Sequence, residues 1–317
     1  MINITLKQLR YFDALSRELH FGRAAEACAV TQPALSMQIQ ELEQNLGISL
    51  LERTRTGVQL TPQGIEIARR AARILGDTRD LIDYAKHGEA VLSGALRLGV
   101  IPSVAPYLLP PLLPHLRASF PDLELAVRET QTATLLQELA DARLDVILLA
   151  LPVKQADIET AHLFEDRFVL AMPASRDIAG LVRATPELVE QQRLLLLEEG
   201  HCLRDQALTY CELQQSRAIN TFGASSLSTI VEMVAAGYGI TLLPEISLPL
   251  ETRGRDLKLI RFVEPEPSRS IGLVWRATSP RKDDFVELAR IVREAAAALL
   301  AQALAIAEPA RAAKGKG

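Results

Sequence analysis

Val30-Thr31-Gln32-Pro33-Ala34-Leu35-Ser36 is a tight break followed at once by a helix start, and the reading of the N-terminal part of the chain depends on it. Pro33 suits the first turn of a helix, where its missing N–H is no loss. Beyond it, Leu35, Ile39, Leu42 and Leu46 form one apolar stripe, while Ser36, Gln40 and Gln44 face the other way and Gln32 stands at the mouth. Upstream, Leu6, Leu9, Phe12, Ala14, Leu15 and Leu19 predict an amphipathic helix over 5–19, and a short second helix runs from about Gly22 to Ala29. Two helices joined by a tight turn, with short amide and hydroxyl side chains outward, are what a DNA-reading helix-turn-helix requires. Gln32, Pro33, Ser36 and Gln40 are then the candidate DNA contacts. Gly47 ends the third helix, and 50–61 reads as a hairpin or wing with Arg53 and Arg55 available to phosphate. The same pattern also fits a plain three-helix bundle with a polar face. Charge does not separate the two, because the six basic residues of 1–64 (Lys7, Arg10, Arg17, Arg23, Arg53, Arg55) are balanced by six acids. Firm DNA binding would need local placement of charge or a dimer's second copy.

From Pro62 to about Glu89 the residues Ala68, Ala71, Leu75, Thr78, Ile82 and Ala85 alternate three and four apart, the seam of a coiled coil. So narrow a stripe on a long helix predicts a partner helix and hence a dimer; packing against its own domain is the alternative. Ser93-Gly94 breaks that helix. Strands at Leu96–Val100, Leu123–Arg128 and Val146–Leu149 then alternate with helices ending near Phe120 and Ala142, which predicts a mostly parallel α/β sheet. Ser103 and Thr132 fall at the strands' C-terminal ends, where such sheets bind ligands, although each could equally be a helix N-cap. Residues 166–267 repeat the scheme, with strands at Phe168–Met172, Leu194–Leu197 and Ile240–Leu243 and a helix over Ser226–Ala236. Arg269–Trp275 reads as a return strand and Asp283–Ala307 as a closing helix. Two α/β lobes crossed more than once by the chain make a clamshell suited to sensing a small molecule.

The chain has 317 residues, 48% hydrophobic and 23% charged, an ordinary globular composition that excludes a disordered or fibrous protein. Its net charge of −4 argues mildly against bulk nucleic-acid binding. Lys7, Arg10 and Asp13 interrupt the first apolar segment, so it is no signal peptide. The longest near-apolar run, Ala295–Ala307, is too short to span a bilayer. A cytoplasmic protein with no membrane partner, no metal and no cofactor is expected.

Two of the three cysteines lie in Gly200-His201-Cys202-Leu203-Arg204-Asp205-Gln206-Ala207-Leu208-Thr209-Tyr210-Cys211. In a helix, nine residues correspond to roughly 900° and about 13.5 Å of rise, so the two sulfurs would face apart. A disulfide needs Cα atoms within about 7 Å, so a bond could form only if the segment unwound, and in a reducing cytosol it would be transient. His201 and Arg204 beside Cys202 make a cationic setting, which raises a thiol's reactive fraction. The plainer alternative is a buried cysteine acting as a small hydrophobe.

Ala24-Ala25, Thr31-Gln32-Pro33-Ala34-Leu35-Ser36, a linker helix and a two-lobed domain together resemble the LysR-type transcriptional regulators over nearly the whole chain. The runs Ile101–Pro110, Gly200–Ala207 and Gly239–Pro244 are similar to those of the family's hydrogen-peroxide-sensing activators. The resemblance implies an α/β protein with an α-rich winged helix-turn-helix head (1–61) and a linker or dimerisation helix (62–92). A periplasmic-binding-protein-like effector domain (93–307) follows, lobe I about 93–165 and 269–307, lobe II about 166–268, with 308–317 a disordered tail. It assigns Cys202 as the peroxidatic and Cys211 as the resolving cysteine, and places Ser103, Thr132, His201, Asp205 and Arg269 around the peroxide. Ser103 stands where the family more often has threonine, which keeps the hydroxyl. Cys28 is expected to be a buried packing residue. Promoter DNA, RNA polymerase, a second dimer completing a homotetramer, and glutaredoxin or thioredoxin as reductant are the implied partners. The implied role is transcription activation under oxidative stress rather than enzymatic turnover. A LysR-type regulator of an organic effector with incidental cysteines, and a thiol peroxidase, are the rival readings.

Overall fold

The structure is a computed structural model and describes residues 3–54, 57–86, 91–176, 183–210 and 224–307. It divides into two units, Met1–Glu89 with Gln137–Leu144, and Ala90–Leu136 with Asp145–Gly317.

In the first unit, helix α1 (Leu6–Glu18) starts at Thr5, whose hydroxyl accepts from the Gln8 N–H at 3.2 Å while Gln8 Oε1 accepts from the Thr5 N–H at 3.0 Å. This reciprocal capping box satisfies two otherwise orphaned donors. Helix α2 (Phe21–Ala27) leads into α3 (Gln32–Leu46), which has Pro33 in its first turn and ends at Gly47 with φ +69°, a left-handed conformation that glycine adopts without strain. Leu35, Ile39 and Leu42 are buried with Leu9, Phe12, Leu15, Ala24 and Ala25 in one core. Each large side chain so enclosed contributes roughly 1.5–3 kcal/mol. Gln32, Pro33 and Gln40 are exposed and Ser36 is half-buried. Strands β1 (Leu51–Thr54) and β2 (Gly57–Leu60) form the antiparallel wing, fixed to α3 because Glu43 Oε1 accepts from the Leu50 N–H at 2.7 Å. Arg53 is on β1, while Arg55 lies outside the described residues.

Helix α4 (Pro62–Lys86) is the expected linker helix; residues 87–90 lie outside the described residues. Its predicted seam is divided. Ala68 and Ala71 belong to the head core and Leu75 packs on its edge, so that half has its own domain for a partner. Farther along, Ile82 and Ala85 of the seam are exposed, as are Leu81 and Tyr84. Alanine is small enough to pack closely on either side of a helix, which is why spacing alone did not assign these faces.

In the second unit a seven-stranded sheet has the order β4-β3-β5-β9-β6-β7, with β8 also on β6. Its strands are β3 (Gly94–Val100), β4 (Leu123–Glu129), β5 (Val146–Leu151), β6 (Ile158–Pro173), β7 (Thr241–Pro244), β8 (Leu257–Arg261) and β9 (Ser268–Arg276). Helices α5 (Ala105–Ser119) and α6 (Thr132–Ala140) follow β3 and β4; α7 (Pro186–Glu190), α8 (Cys202–Tyr210), α9 (Leu227–Ala235) and α10 (Leu248–Glu251) follow β6, and α11 (Lys282–Ala307) closes the chain. The expected mostly parallel sheet is instead mixed: β3 is parallel to β4 and β5, whereas β9 is antiparallel to β5 and β6, and β7 and β8 are antiparallel to β6. Only residues 152–157 connect β5 to β6. A parallel crossover needs about a dozen residues or more, so β6 cannot return beside β5 and β9 fills that place.

Two further expectations change. Strand β6 is one 16-residue element that runs through the expected lobe boundary at 165/166, with a bulge between His162 and Phe164. Leu194–Leu197 is no ladder strand; Leu194 and Leu197 make single parallel bridges to Ile240 and Ala224. The tail 308–317 lies outside the described residues.

Candidate functional site

Three strand ends meet at the site. After β3, the Ile101 N–H donates to Leu148 O at 3.2 Å and the Val104 N–H turns back to Ile101 O at 3.0 Å, which places Ser103 in a tight turn before α5. Thr132 opens α6 just beyond β4, the parallel neighbour of β3. Arg269 enters on β9 directly opposite Asp166 of β6.

Arg269 organises this end of the sheet. Its Nε donates to Asp166 Oδ2 at 2.9 Å and its Nη2 lies 2.8 Å from the same oxygen, with neither side chain exposed to solvent. The Arg269 Nη1 donates to Ser103 Oγ at 2.7 Å, and Nη2 to the Ser103 carbonyl at 3.0 Å. Asp166 Oδ1 accepts a further bond from the Ile246 N–H at 3.1 Å. Burial pushes the Asp166 carboxyl up from its ordinary value, and the Arg269 charge and these hydrogen bonds oppose that push. The Ser103 hydroxyl thus accepts from Arg269, and the N-cap of α5 is Val104, with no side-chain cap bond. Thr132 Oγ1 is buried without a hydrogen-bond partner.

The Cys202 segment meets the end of β4 through Gly200 and Gln131, the residue before Thr132. Gly200 has φ +91°, a left-handed conformation that favours glycine, and a Cβ placed there would come within 2.6 Å of Gln131 Oε1, a flexible side-chain end that would have to move aside. His201 is buried and Cys202 is a half-buried free thiol. Cys202 occupies the first position of α8, where unsatisfied helical N–H groups carry partial positive charge. Leu203 and Ala207 anchor the helix inward, and Arg204 Nη1 donates to Leu197 O at 3.1 Å. Gln206, one turn from Cys202, has its Oε1 buried and unpartnered. Asp205 does not join the cluster; it is exposed on the first turn of α8. Cys211 lies outside the described residues. Cys28, expected to be buried, is half-buried at the edge of the head core, and desolvation raises its thiol pKa.

Sequence reasoning missed Asp166, and it missed a second polar hub at Glu251. The Tyr107 hydroxyl donates to Glu251 Oε1 at 2.9 Å, as does Ser228 Oγ at 2.8 Å, and Arg255 Nη1 donates to Oε2 at 3.1 Å. Burial and the Glu251 charge push the Tyr107 phenol far above its ordinary value. The only sequence signal for either residue was an acid bordering a strongly apolar stretch.

A winged helix-turn-helix head with a two-lobed α/β body defines a bacterial transcriptional regulator, and family models match both parts. The LysR substrate binding domain matches residues 89–297, and the bacterial regulatory helix-turn-helix protein, lysR family, matches residues 6–65. The chain belongs to the LysR family. It is 43% identical over 293 residues to a probable hydrogen peroxide-inducible genes activator from Streptomyces viridosporus, covering 92% of this chain and 94% of that protein. It is 39% identical over 290 residues to the DNA-binding transcriptional dual regulator OxyR of Escherichia coli, covering 92% and 95%. Among solved structures, a full-length cysteine-to-aspartate variant of OxyR from Pseudomonas aeruginosa superimposes with a TM-score of 0.77 at 35% identity, covering 92% of this chain and 98% of that one. A hydrogen-peroxide-bound cysteine-to-serine variant of Corynebacterium glutamicum OxyR gives 0.65 at 34% identity, covering 95% and 97%.

Proposed function

We propose that this protein is a hydrogen-peroxide-sensing transcriptional regulator switched by a reversible Cys202–Cys211 disulfide. The observation that carries the reading is Cys202 itself, a free, half-buried thiol at the first position of α8, in a segment whose Gly200 packs on Gln131, the neighbour of Thr132. The Cys202 thiolate attacks one oxygen of the peroxide, the O–O bond breaks, and hydroxide leaves and is protonated to water, giving a sulfenic acid. Ser103, Thr132, His201 and Arg269 orient the peroxide and stabilise the charge developing on the leaving oxygen. Asp205 assists from the exposed side of α8. The Cys211 thiol then displaces the second water, so two thiols and one peroxide become one disulfide and two waters. A dithiol reductant of the glutaredoxin or thioredoxin type restores both thiols.

The switch has a mechanical consequence. Eight helical steps separate the Cα atoms of Cys202 and Tyr210 by about 12 Å, and one further residue recovers at most about 3.8 Å. More than about 8 Å remains, beyond disulfide reach, so closing the bond requires α8 to unwind. The head (1–61), linker helix (62–92) and regulatory domain (93–307, lobes meeting within β6) divide DNA binding, pairing and sensing. Gln32, Pro33, Ser36, Gln40, Arg53 and Arg55 meet promoter DNA. A cytoplasmic dimer of dimers passes the change to RNA polymerase.

Thiol mapping tests this, before and after one equivalent of hydrogen peroxide per subunit. The expected result is a Cys202–Cys211 linked peptide that appears with peroxide and vanishes with reductant, while Cys202→Ser keeps DNA binding and loses the response. If both cysteines stay alkylatable, the redox reading falls and a regulator of an organic effector takes its place.

A further inference from the structure

The geometry points to Asp166 as the positioning residue of peroxide reduction: it locks Arg269 so that the Ser103 hydroxyl is fixed as a hydrogen-bond donor toward the peroxide. This rests on the peroxide reading above and concerns a residue that never meets the peroxide.

Asp166 and Arg269 are cross-strand partners in the β6–β9 ladder, so their side chains leave the same face of the sheet. The carboxylate engages Nε and Nη2 of the guanidinium at 2.9 and 2.8 Å, and the Ile246 N–H holds its other oxygen at 3.1 Å. With Nε and Nη2 so occupied, a rigid planar fork has one orientation left, and in it Nη1 points at Ser103 Oγ at 2.7 Å. Arginine only donates. Ser103 must therefore accept from Arg269, and its single hydrogen is left to be given to another group. A donor aimed at the peroxide is what the departing hydroxide needs as negative charge builds on it. Without the carboxylate, the guanidinium could turn to other acceptors, and the Ser103 hydroxyl could rotate to accept from the peroxide, which gives the leaving oxygen no help.

The test uses the full-length protein and two reagents for the same thiol. Hydrogen peroxide needs a donor for its leaving oxygen; iodoacetamide releases iodide, which needs none. In Asp166→Asn the second-order rate of Cys202 with hydrogen peroxide is expected to fall at least tenfold, while its rate with iodoacetamide stays within about twofold of wild type. Both rates falling together would mean a general structural role, and an unchanged peroxide rate would mean no role; either overturns the proposal. A wild-type Cys202 that does not react with peroxide would instead overturn the underlying reading. Because Asp166→Asn leaves a buried guanidinium uncompensated and can prevent folding, the neutral pair Asp166→Asn/Arg269→Gln is compared with Arg269→Gln alone. With Arg269 gone, the Asp166 change is expected to alter the peroxide rate less than twofold, and a further fivefold loss would show that Asp166 acts by another route.

Discussion

Leu203→Ala is the substitution that most directly couples the fold of α8 to its chemistry. Leu203 is 3% exposed and, with Ala207 one turn later, forms the inward face of a nine-residue helix. Truncating a buried leucine to alanine costs 2–5 kcal/mol, and a short helix near the surface relaxes enough to fall at the lower end, about 2–3 kcal/mol. If the disulfide form has lost this helix, the cost falls on the dithiol state alone. Destabilising the dithiol makes reduction harder, and with about 30 mV per 1.4 kcal/mol for a two-electron couple the midpoint potential moves roughly 45–65 mV more negative. Equilibration of the full-length protein against dithiothreitol redox buffers, read by alkylation of Cys202, measures this shift. An unchanged midpoint would show that Leu203 stays equally buried in both states, which would refute unwinding as the switch.

Other outcomes follow from the same structure. Arg53→Ala should weaken DNA binding at every sequence and flatten the dependence of log affinity on log salt by about 0.9, one phosphate contact, in salt-titrated fluorescence anisotropy. Thr5→Ala removes the capping box of α1 and should cost about 1 kcal/mol in urea unfolding of the head without altering the peroxide rate of Cys202. Burial pushes the Glu266 carboxyl up, but hydrogen bonds and charge from Arg261, with the charges of Arg167 and Arg183, outweigh this and hold it below its ordinary 4.5. A depressed acid stabilises the fold fully above that ordinary value and loses the contribution as pH falls through the folded value. Glu266→Gln should therefore lower the urea midpoint at pH 7 and flatten its fall below about pH 4.5, and an unchanged acid limb would exclude this ion pair as a source of the dependence.

The head was legible because its signals are local: a proline in the first turn of α3, a glycine after its last, and an apolar stripe between. The same holds for Ser103 and Thr132, which lie at strand ends that the alternation of strands and helices could place. The mixed sheet was not legible, since the pairing of β5 with β9 joins residues more than a hundred positions apart and leaves no periodicity in either strand. Asp166 was hidden for the same reason. In sequence it is one acid in Glu165-Asp166-Arg167, and only the register of β6 against β9 singles it out from its neighbours. Asp205 differs from Cys202 in exposure rather than in direction: three residues along a helix bring it to within about 60° of Cys202, yet Asp205 is exposed where Cys202 is half-buried, a difference that sequence spacing does not carry.

The order in which strands enter the sheet also governs how this protein can be made. The head closes its core with neighbours in sequence and is complete before the regulatory body has begun to leave the ribosome. By contrast β5 waits for β9, and β6 waits for β7, β8 and β9, so both present unpaired backbone until residue 276 has been synthesised. From the end of β6 until β9 is made, about a third of translation, the nascent chain therefore carries two open apolar strand edges, the kind that recruit chaperones or aggregate. Shortened versions that stop before Ser268 should accumulate as insoluble protein however well their heads fold.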